Sequence, residues 1–493
     1  MVSMRVTCGA VIVLASLAAA CESSPSPERQ LVDRAIAWMG GIDRLTAVRS
    51  LVIEGDGTVT LFGQALGSGG IPPFPEWRVT GWRRTLDLTG NRMSERQVRV
   101  PLFTSEFAPP PPLSGGLDGA VGYDVAPDGT ARRTSAAVAA ERRIEMLHHP
   151  LVLLRAAMQP GARLANRRVQ SGYEVIDLTT AERDIVSLGF DPAFGMLTMA
   201  WSPSYQRNLG DVTVETGFYR YVEERGLRLP LRIVSRLDRF PQNDLQVTSN
   251  VLDADSRELA APEAVRASAI PPDTAAPHVT VDVLAPGVWR LAGDTHHSVV
   301  IEFADHVRIF EVPISEARTL AVIETARKLG QGKPVTHAII SHHHFDHAAG
   351  LRAAIAEGLT IVTERENAVL FGELAVRSHS RNPDALERRR RPPTFDLVGG
   401  ELRTSDEVNQ LRVVKLLVEH SYSMLIADVA SRRLVIQADL FGADDRAFPQ
   451  AWRLLDLVRN SYAEGDIAER HVPVHGRPMT HAELLRIVRA VTP

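Results

Sequence analysis

Cysteine is almost missing. Of 493 residues only Cys8 and Cys21 are cysteines, so a chain processed near residue 20 has no internal disulfide and depends on its cores and bound ions for stability. An excess of positive charge is missing too: 55 Lys and Arg stand against 59 Asp and Glu, a formal net charge of −4, which argues against nucleic acid as a partner. No repeat occurs at a solenoid or propeller period. The apolar run Val11–Ala20 is too short for a membrane-spanning helix.

That run still carries information. Arg5, the apolar stretch and the small residues Ala18, Ala19 and Ala20 before Cys21 have the layout of an export signal. With the polar, Pro-containing segment from Glu22 to Pro27 behind it, the stretch resembles a bacterial lipoprotein signal, although Leu17 sits one place further from the cysteine than usual. The resemblance implies a signal peptide over 1–20, lipidation at Cys21, a tether over 21–29 and a lipid anchor at the periplasmic face of a bacterial membrane. A plain secretory peptide, cut after one of the alanines, is the alternative.

The remaining length exceeds one ordinary core, so two or more domains are expected. The spacing predicts a helix over Gln30–Trp38, stopped by Gly40-Gly41. From Ser50 to Leu252 short segments alternate apolar and polar residues, as in Leu51–Leu61, Tyr173–Leu178 and Leu229–Leu237, which predicts antiparallel strands. The Pro- and Gly-rich stretch 107–116 interrupts them as an expected loop. Val138–Met158 is helix-like, and its His148-His149 pair, ahead of Pro150, suits packing or capping better than ligation. A Gly-Gly-stopped helix followed by a long antiparallel run resembles the open half-barrel of periplasmic lipoprotein-carrier domains. The expected organisation is an accessory β domain over 30–259, a Pro-rich linker over 260–277 and a second domain over 278–493.

In that second domain Val299–Phe303 and Val307–Val312 flank a turn as a hairpin, Ser315 caps a helix running to Leu329, and Val335–Ile340 is a strand aimed at His342-His343-His344-Phe345-Asp346-His347. Alternation along an extended segment points His342 and His344 the same way, towards one metal, and turns His343 away. The turn that follows sets Asp346 and His347 towards a second. Imidazole and carboxylate are the donors Zn²⁺ prefers, and Fe or Mn accept the same set. Four histidines and one aspartate in six residues are not explained by core packing.

The motif His-x-His-x-Asp-His resembles the signature of the metallo-β-lactamase superfamily, over roughly 279–491. The resemblance implies an αββα sandwich for the C-terminal domain, an α/β architecture, preceded here by the antiparallel domain. It also implies three further ligands: His420 after the strand Val413–Val418, Asp439 after Leu434–Gln437, and His475 in a Pro-x-His-Gly turn. One ion then takes His342, His344 and His420, the other takes Asp346, His347 and His475, and Asp439 bridges. Asp346 is also the expected catalytic residue, orienting a metal-bridging hydroxide.

Three departures from the usual pattern stand out: Ser421-Tyr422-Ser423 in place of a Pro-Gly turn, Glu311 where many members carry Asp behind the ligands, and Ala438 before Asp439. His297, in the pair His296-His297, and Tyr422 are candidate substrate contacts at the mouth. His471 and His481 are expected at the surface or behind the ligands, and the run Arg388–Arg391 as a solvated loop. Two functions from different classes remain. One is an exported hydrolase with two divalent ions, acting on an ester, thioester, lactam, lactone or phosphoester of a small molecule. The other is a lipoprotein that binds or carries a hydrophobic ligand, its C-terminal domain a metal-bound structural partner.

Overall fold

The computed structural model describes residues 25–103, 110–254, 259–442, 451–461 and 468–491. Cys21 and the expected signal lie outside the described residues. The first helix is Pro27–Met39: Ser26 accepts from the Arg29 amide, Pro27 opens the first turn, and Gly40 ends it at φ 140°. Its buried side chains, Leu31, Val32, Ala35, Ile36 and Met39, recur at helical spacing on one face.

The expected alternating strands form one antiparallel sheet of thirteen. The first strand, Ser50–Thr60, pairs with the last, Phe240–Leu252, in the middle of the sheet, with Leu51 opposite Leu252. From there the strands run in sequence order to two edges, Ala131–Arg133 and Arg163–Gln170. One core joins both arms to the helices, through Leu31, Trp82, Leu117, Leu153, Phe190 and Phe218, so the sheet curls over them as an open half-barrel. The stretch read as a loop over 107–116 already contains a strand, Leu113–Asp118. Its Gly115 and Gly116 leave room for the neighbouring strand and Tyr123, where any Cβ would collide.

The second half is layered αββα. A seven-stranded sheet reaches from Thr280–Ala285 to Phe395–Val398, and a six-stranded one from Glu401–Ser405 to Met479–Thr480. Phe303, Phe310 and Ile339 of the first meet Met424, Ile426 and Ile436 of the second. Helices Glu316–Leu329, Leu351–Ala356 and Asn367–Val376 cover the first sheet through Val322, Ala354 and Phe371. Helix His481–Val491 packs on the second through Leu484 and Val488. Ser315 and Gly330 cap Glu316–Leu329, though Gly330 keeps a right-handed backbone (φ −72°) and the left-handed residue is the following Gln331 (φ 51°).

The segment expected as a linker is fastened to the half-barrel. Ala261 and Val265 are buried against Tyr123, a helical turn spans Glu263–Ala267, and Arg266 pairs with Asp118 at 3.1 Å. Two apolar anchors have no period, so the composition reads as tether. The halves also share a core in which Leu209, Val212 and Phe240 pack with Phe345, Phe371 and Leu374. Beside it, Asp211 accepts from the Ser378 and Ser380 hydroxyls and the Arg381 amide, and Arg239 forks onto Glu373 at 2.5 and 2.8 Å.

Candidate metal centre

Strand Val335–Ile339 lies parallel between Val307–Phe310 and Thr360–Glu364, and its C-terminal end opens at a crevice, as ligand sites on parallel sheets do. Ser341 follows, and its amide donates to Glu311 Oε1 at 3.0 Å. Glu311 is fully buried with φ 72°, a left-handed backbone that turns its carboxylate under the histidine loop. The other oxygen, Oε2, is 3.4 Å from His347 Nδ1. Glu for Asp therefore still puts a carboxylate behind His347, at ion-pair distance and without a hydrogen bond to its far nitrogen.

Two groups of donors converge, each with ligand atoms within 4.8 Å of one another: His342, His344, His420 and Asp439, and His296, Asp346, His347 and His475. Asp439 stands between them. Its Oδ2 is 3.2 Å from His342 Nε2, 3.2 Å from His420 Nε2 and 3.0 Å from His347 Nε2, and its Oδ1 is 3.0 Å from His475 Nε2. All seven residues expected as ligands are thus in one cluster. His343 is outside both groups and reaches the Ala65 carbonyl instead, 2.7 Å from Nε2.

The charges fit cations. Burial raises the Asp439 carboxyl, but His347, His475 and His342 hold it well below its ordinary range. Burial also keeps His342 neutral, lowered to about 3, the form that can ligate. Against its own burial, His347 is held well above the ordinary range by Asp439, Asp346 and Glu311. Three carboxylates this close, two of them buried, need positive charge between them.

The fit extends to single atoms. His344 Nε2 lies 3.0 Å from the Ala65 carbonyl, which can only accept, so the proton sits on Nε2. Nδ1 is left with a buried lone pair that has no hydrogen-bond partner among the described residues. An ion on the His342, His344 and His420 side gives that nitrogen its partner. Exposure is uneven across the cluster: the side chains of His342 and His347 are completely buried, while that of Asp346 is 35% exposed.

The candidate contacts separate. His297 is buried, accepts from the Gly293 amide at Nδ1 (3.1 Å), and belongs to neither donor group. His296 is the residue at the cluster: its Nε2 is 3.1 Å from Asp346 Oδ2 and its ring centroid 3.9 Å from that of His475. Tyr422 is 49% exposed, on a left-handed backbone at φ 65°, two residues after His420. His471, expected near the surface or behind the ligands, is fully buried and meets His481 Nδ1 at 3.0 Å. Sequence reasoning also passed over Gln64 and Ala65 of the half-barrel, the first donating to Asp346 Oδ1 at 2.7 Å. No spacing rule connects positions 282 residues apart.

Solved structures resemble part of this chain in fold. The chain is similar to a metallo-β-lactamase from Pontibacter korlensis, at 15% identity over 43% of this chain and 99% of that one, with a TM-score of 0.34. It is likewise similar to a metallo-β-lactamase from Hirschia baltica, at 16% identity over 44% of this chain and 98% of that one, with a TM-score of 0.33. No protein-family model matches the chain, and no curated protein does. The functional reading therefore rests on the donor geometry.

Proposed function

We propose that this chain is a binuclear metal-dependent hydrolase, exported and anchored to a bacterial membrane through Cys21. The observation that carries the hydrolase reading is Asp439, which belongs to one donor group and reaches the other, 3.0 Å from both His347 Nε2 and His475 Nε2. Two divalent ions, most simply Zn²⁺, would be held by His342, His344 and His420, and by Asp346, His347 and His475, with Asp439 common to both. When bound, such ions supply Lewis acidity and bring the ionisation of a water near neutral pH.

The chain's own groups do the rest. Asp346 has one oxygen held by Gln64 and the other beside His296, so it is oriented to accept a hydrogen bond from an attacking water at the exposed side of the cluster. Tyr422, exposed two residues after His420 with its ring 5.8 Å from Lys415 Nζ, is proposed as a substrate contact. The substrate class proposed is a small molecule with an ester, thioester, lactam, lactone or phosphoester bond.

The carrier reading has less support. The half-barrel holds a cavity of about 260 Å³, but Arg84, Glu141, Glu145, His148 and Gln206 are among its lining. A hydrophobic ligand would have to desolvate those groups.

Elemental analysis of the purified protein tests the centre, with close to two ions per chain expected and none fatal to the enzyme reading. A hydrolase panel on wild type and Asp346→Asn then tests the chemistry: an activity that Asp346→Asn leaves untouched is not the one described. Membrane fractionation of Cys21→Ser tests the anchor, the variant being expected in the soluble fraction.

A further inference from the structure

The half-barrel reaches into the metal centre with a loop. Between strands Ser50–Thr60 and Glu76–Asp87 the chain folds back on itself, closed by Leu61 N to Pro75 O (2.8 Å), Leu66 N to Pro73 O (2.9 Å) and Gly67 N to Ile71 O (3.1 Å). The tip meets four consecutive residues of the histidine motif. Ala65 O accepts from His343 Nε2 and His344 Nε2, Gly63 O accepts from the Phe345 amide at 3.0 Å, and Gln64 Nε2 donates to Asp346 Oδ1.

The fit is close. Gly63 has φ +79°, and a Cβ there would lie 2.7 Å from the Phe345 ring. Phe62 packs edge-on against Phe345 and Phe240, with centroids at 5.3 and 5.6 Å, and Ala65 is buried. A loop that touches every residue from 343 to 346, with donors and acceptors matched at each, does more than cover a surface.

We propose that Gln64 is a positioning residue of the metal centre, and that the loop 61–75 makes the N-terminal domain part of it. Gln64 holds Asp346 Oδ1 from outside, leaving Oδ2 turned towards His296 and His347, 3.1 and 3.6 Å away. The Ala65 carbonyl fixes the proton of His344 on Nε2 and so leaves Nδ1 to ligate. Each ion thus has one ligand oriented by the other domain, and orienting contacts of this kind typically govern affinity by about 10- to 100-fold.

This rests on the two-ion reading above, and the test separates the two. Full-length wild type, Gln64→Ala and Gln64→Met are titrated with Zn²⁺ against graded chelator, and the visible spectra of their Co²⁺ forms are recorded. Methionine keeps the length and bulk of glutamine and lacks the donor. Both variants are expected to bind the first equivalent as wild type does, to hold the second about 10- to 100-fold more weakly, and to shift the spectrum of that ion. Unfolding of the metal-stripped proteins is expected to be unchanged. Gly63→Ala, which drives the loop off Phe345, is expected to weaken both equivalents. Wild-type affinity and spectrum in Gln64→Met would overturn the role of Gln64, as would rescue by methionine of a loss seen in Gln64→Ala. A wild type that binds fewer than two ions would overturn the functional reading itself.

Discussion

Adjacent residues take opposite parts in this centre. His297 gives its Nδ1 to the Gly293 amide and its own amide to the Val474 carbonyl, while His296 turns Nε2 to Asp346. Substituting each should therefore fail differently. His296→Ala is expected to weaken the second ion by about 10- to 100-fold, with little change in the stability of the metal-stripped protein, read by chelator titration. His297→Ala is expected to leave ion affinity within a few-fold and to cost about 1–3 kcal/mol of stability by leaving the half-buried Gly293 amide without its acceptor, read by denaturant unfolding. Equal effects on affinity would mean that the two histidines have not been told apart. In the sequence they cannot be. A chain that bends between positions 292 and 298 obeys no alternation, and the ring that faces Asp346 is decided by contacts 50 residues away. His342, His344, Asp346 and His347 are legible because their spacing alone sets their directions. His420, Asp439 and His475 become legible only through a known pattern, each being an ordinary residue at a strand end.

Whole elements follow local rules better, and fail where the rule is not local. Helix Glu316–Leu329 is readable from Ser315 and Gly330 because caps act within one turn. The junction between helices Ala136–Leu147 and Pro150–Ala156 is readable in type only. His148 and His149 are buried there as expected of packing residues, His148 between Thr216 Oγ1 and Ser202 Oγ at 2.7 and 2.8 Å, and His149 accepting from the Leu151 amide. Burial, and then Arg84, lowers each to about 3. Since the unfolded chain binds those protons near pH 6.5 and the folded chain does not, stability is intact above that pH and falls as pH drops from about 6.5 towards 3. Each histidine contributes a slope of up to about 1.4 kcal/mol per pH unit. His148→Gln should flatten the stability profile in this window by about one proton, measured by urea unfolding at stepped pH. A parallel profile would mean that His148 is protonated in the folded state. The run Arg388–Arg391 calls for another expectation. Arg388 pairs with Glu316 at 3.0 Å, Arg389 with Glu357 at 3.2 Å, and Arg390 with Glu387, all three arginines well exposed. Three of its four charges are answered within the chain, so alanines at 388–391 should cost about 0–1 kcal/mol per pair and leave the ratio of rates on anionic and neutral substrates unchanged. A selective loss on anionic substrates would instead make the run a patch that recruits them.

For the molecule as a whole, two separate units are the natural expectation from composition, since strand texture gives way to mixed texture across a Pro-rich stretch. The boundary is visible in the sequence, but the interface is not. It is made by Leu209, Val212, Phe240 and Phe345, each of which reads as an ordinary core residue of its own half. Around that core stand the Asp211 contacts to the segment after helix Asn367–Val376, the Arg239 contact to Glu373 within that helix, and the loop that brings Gln64 to Asp346. Interfaces between independent domains tend to be polar and to open separately, whereas an apolar core shared by both halves couples their unfolding. The metal-stripped, full-length protein should therefore unfold in one calorimetric transition, with calorimetric and van't Hoff enthalpies agreeing. Phe240→Ala supplies the sharper version of the test. The side chain is buried at the shared core and meets Phe62 and Phe74 edge-on, so its truncation should cost about 3–5 kcal/mol. In a coupled molecule that loss moves the single midpoint and keeps one peak. In a molecule of independent halves the same substitution splits the trace, lowering the half-barrel transition and leaving the αββα transition where it was.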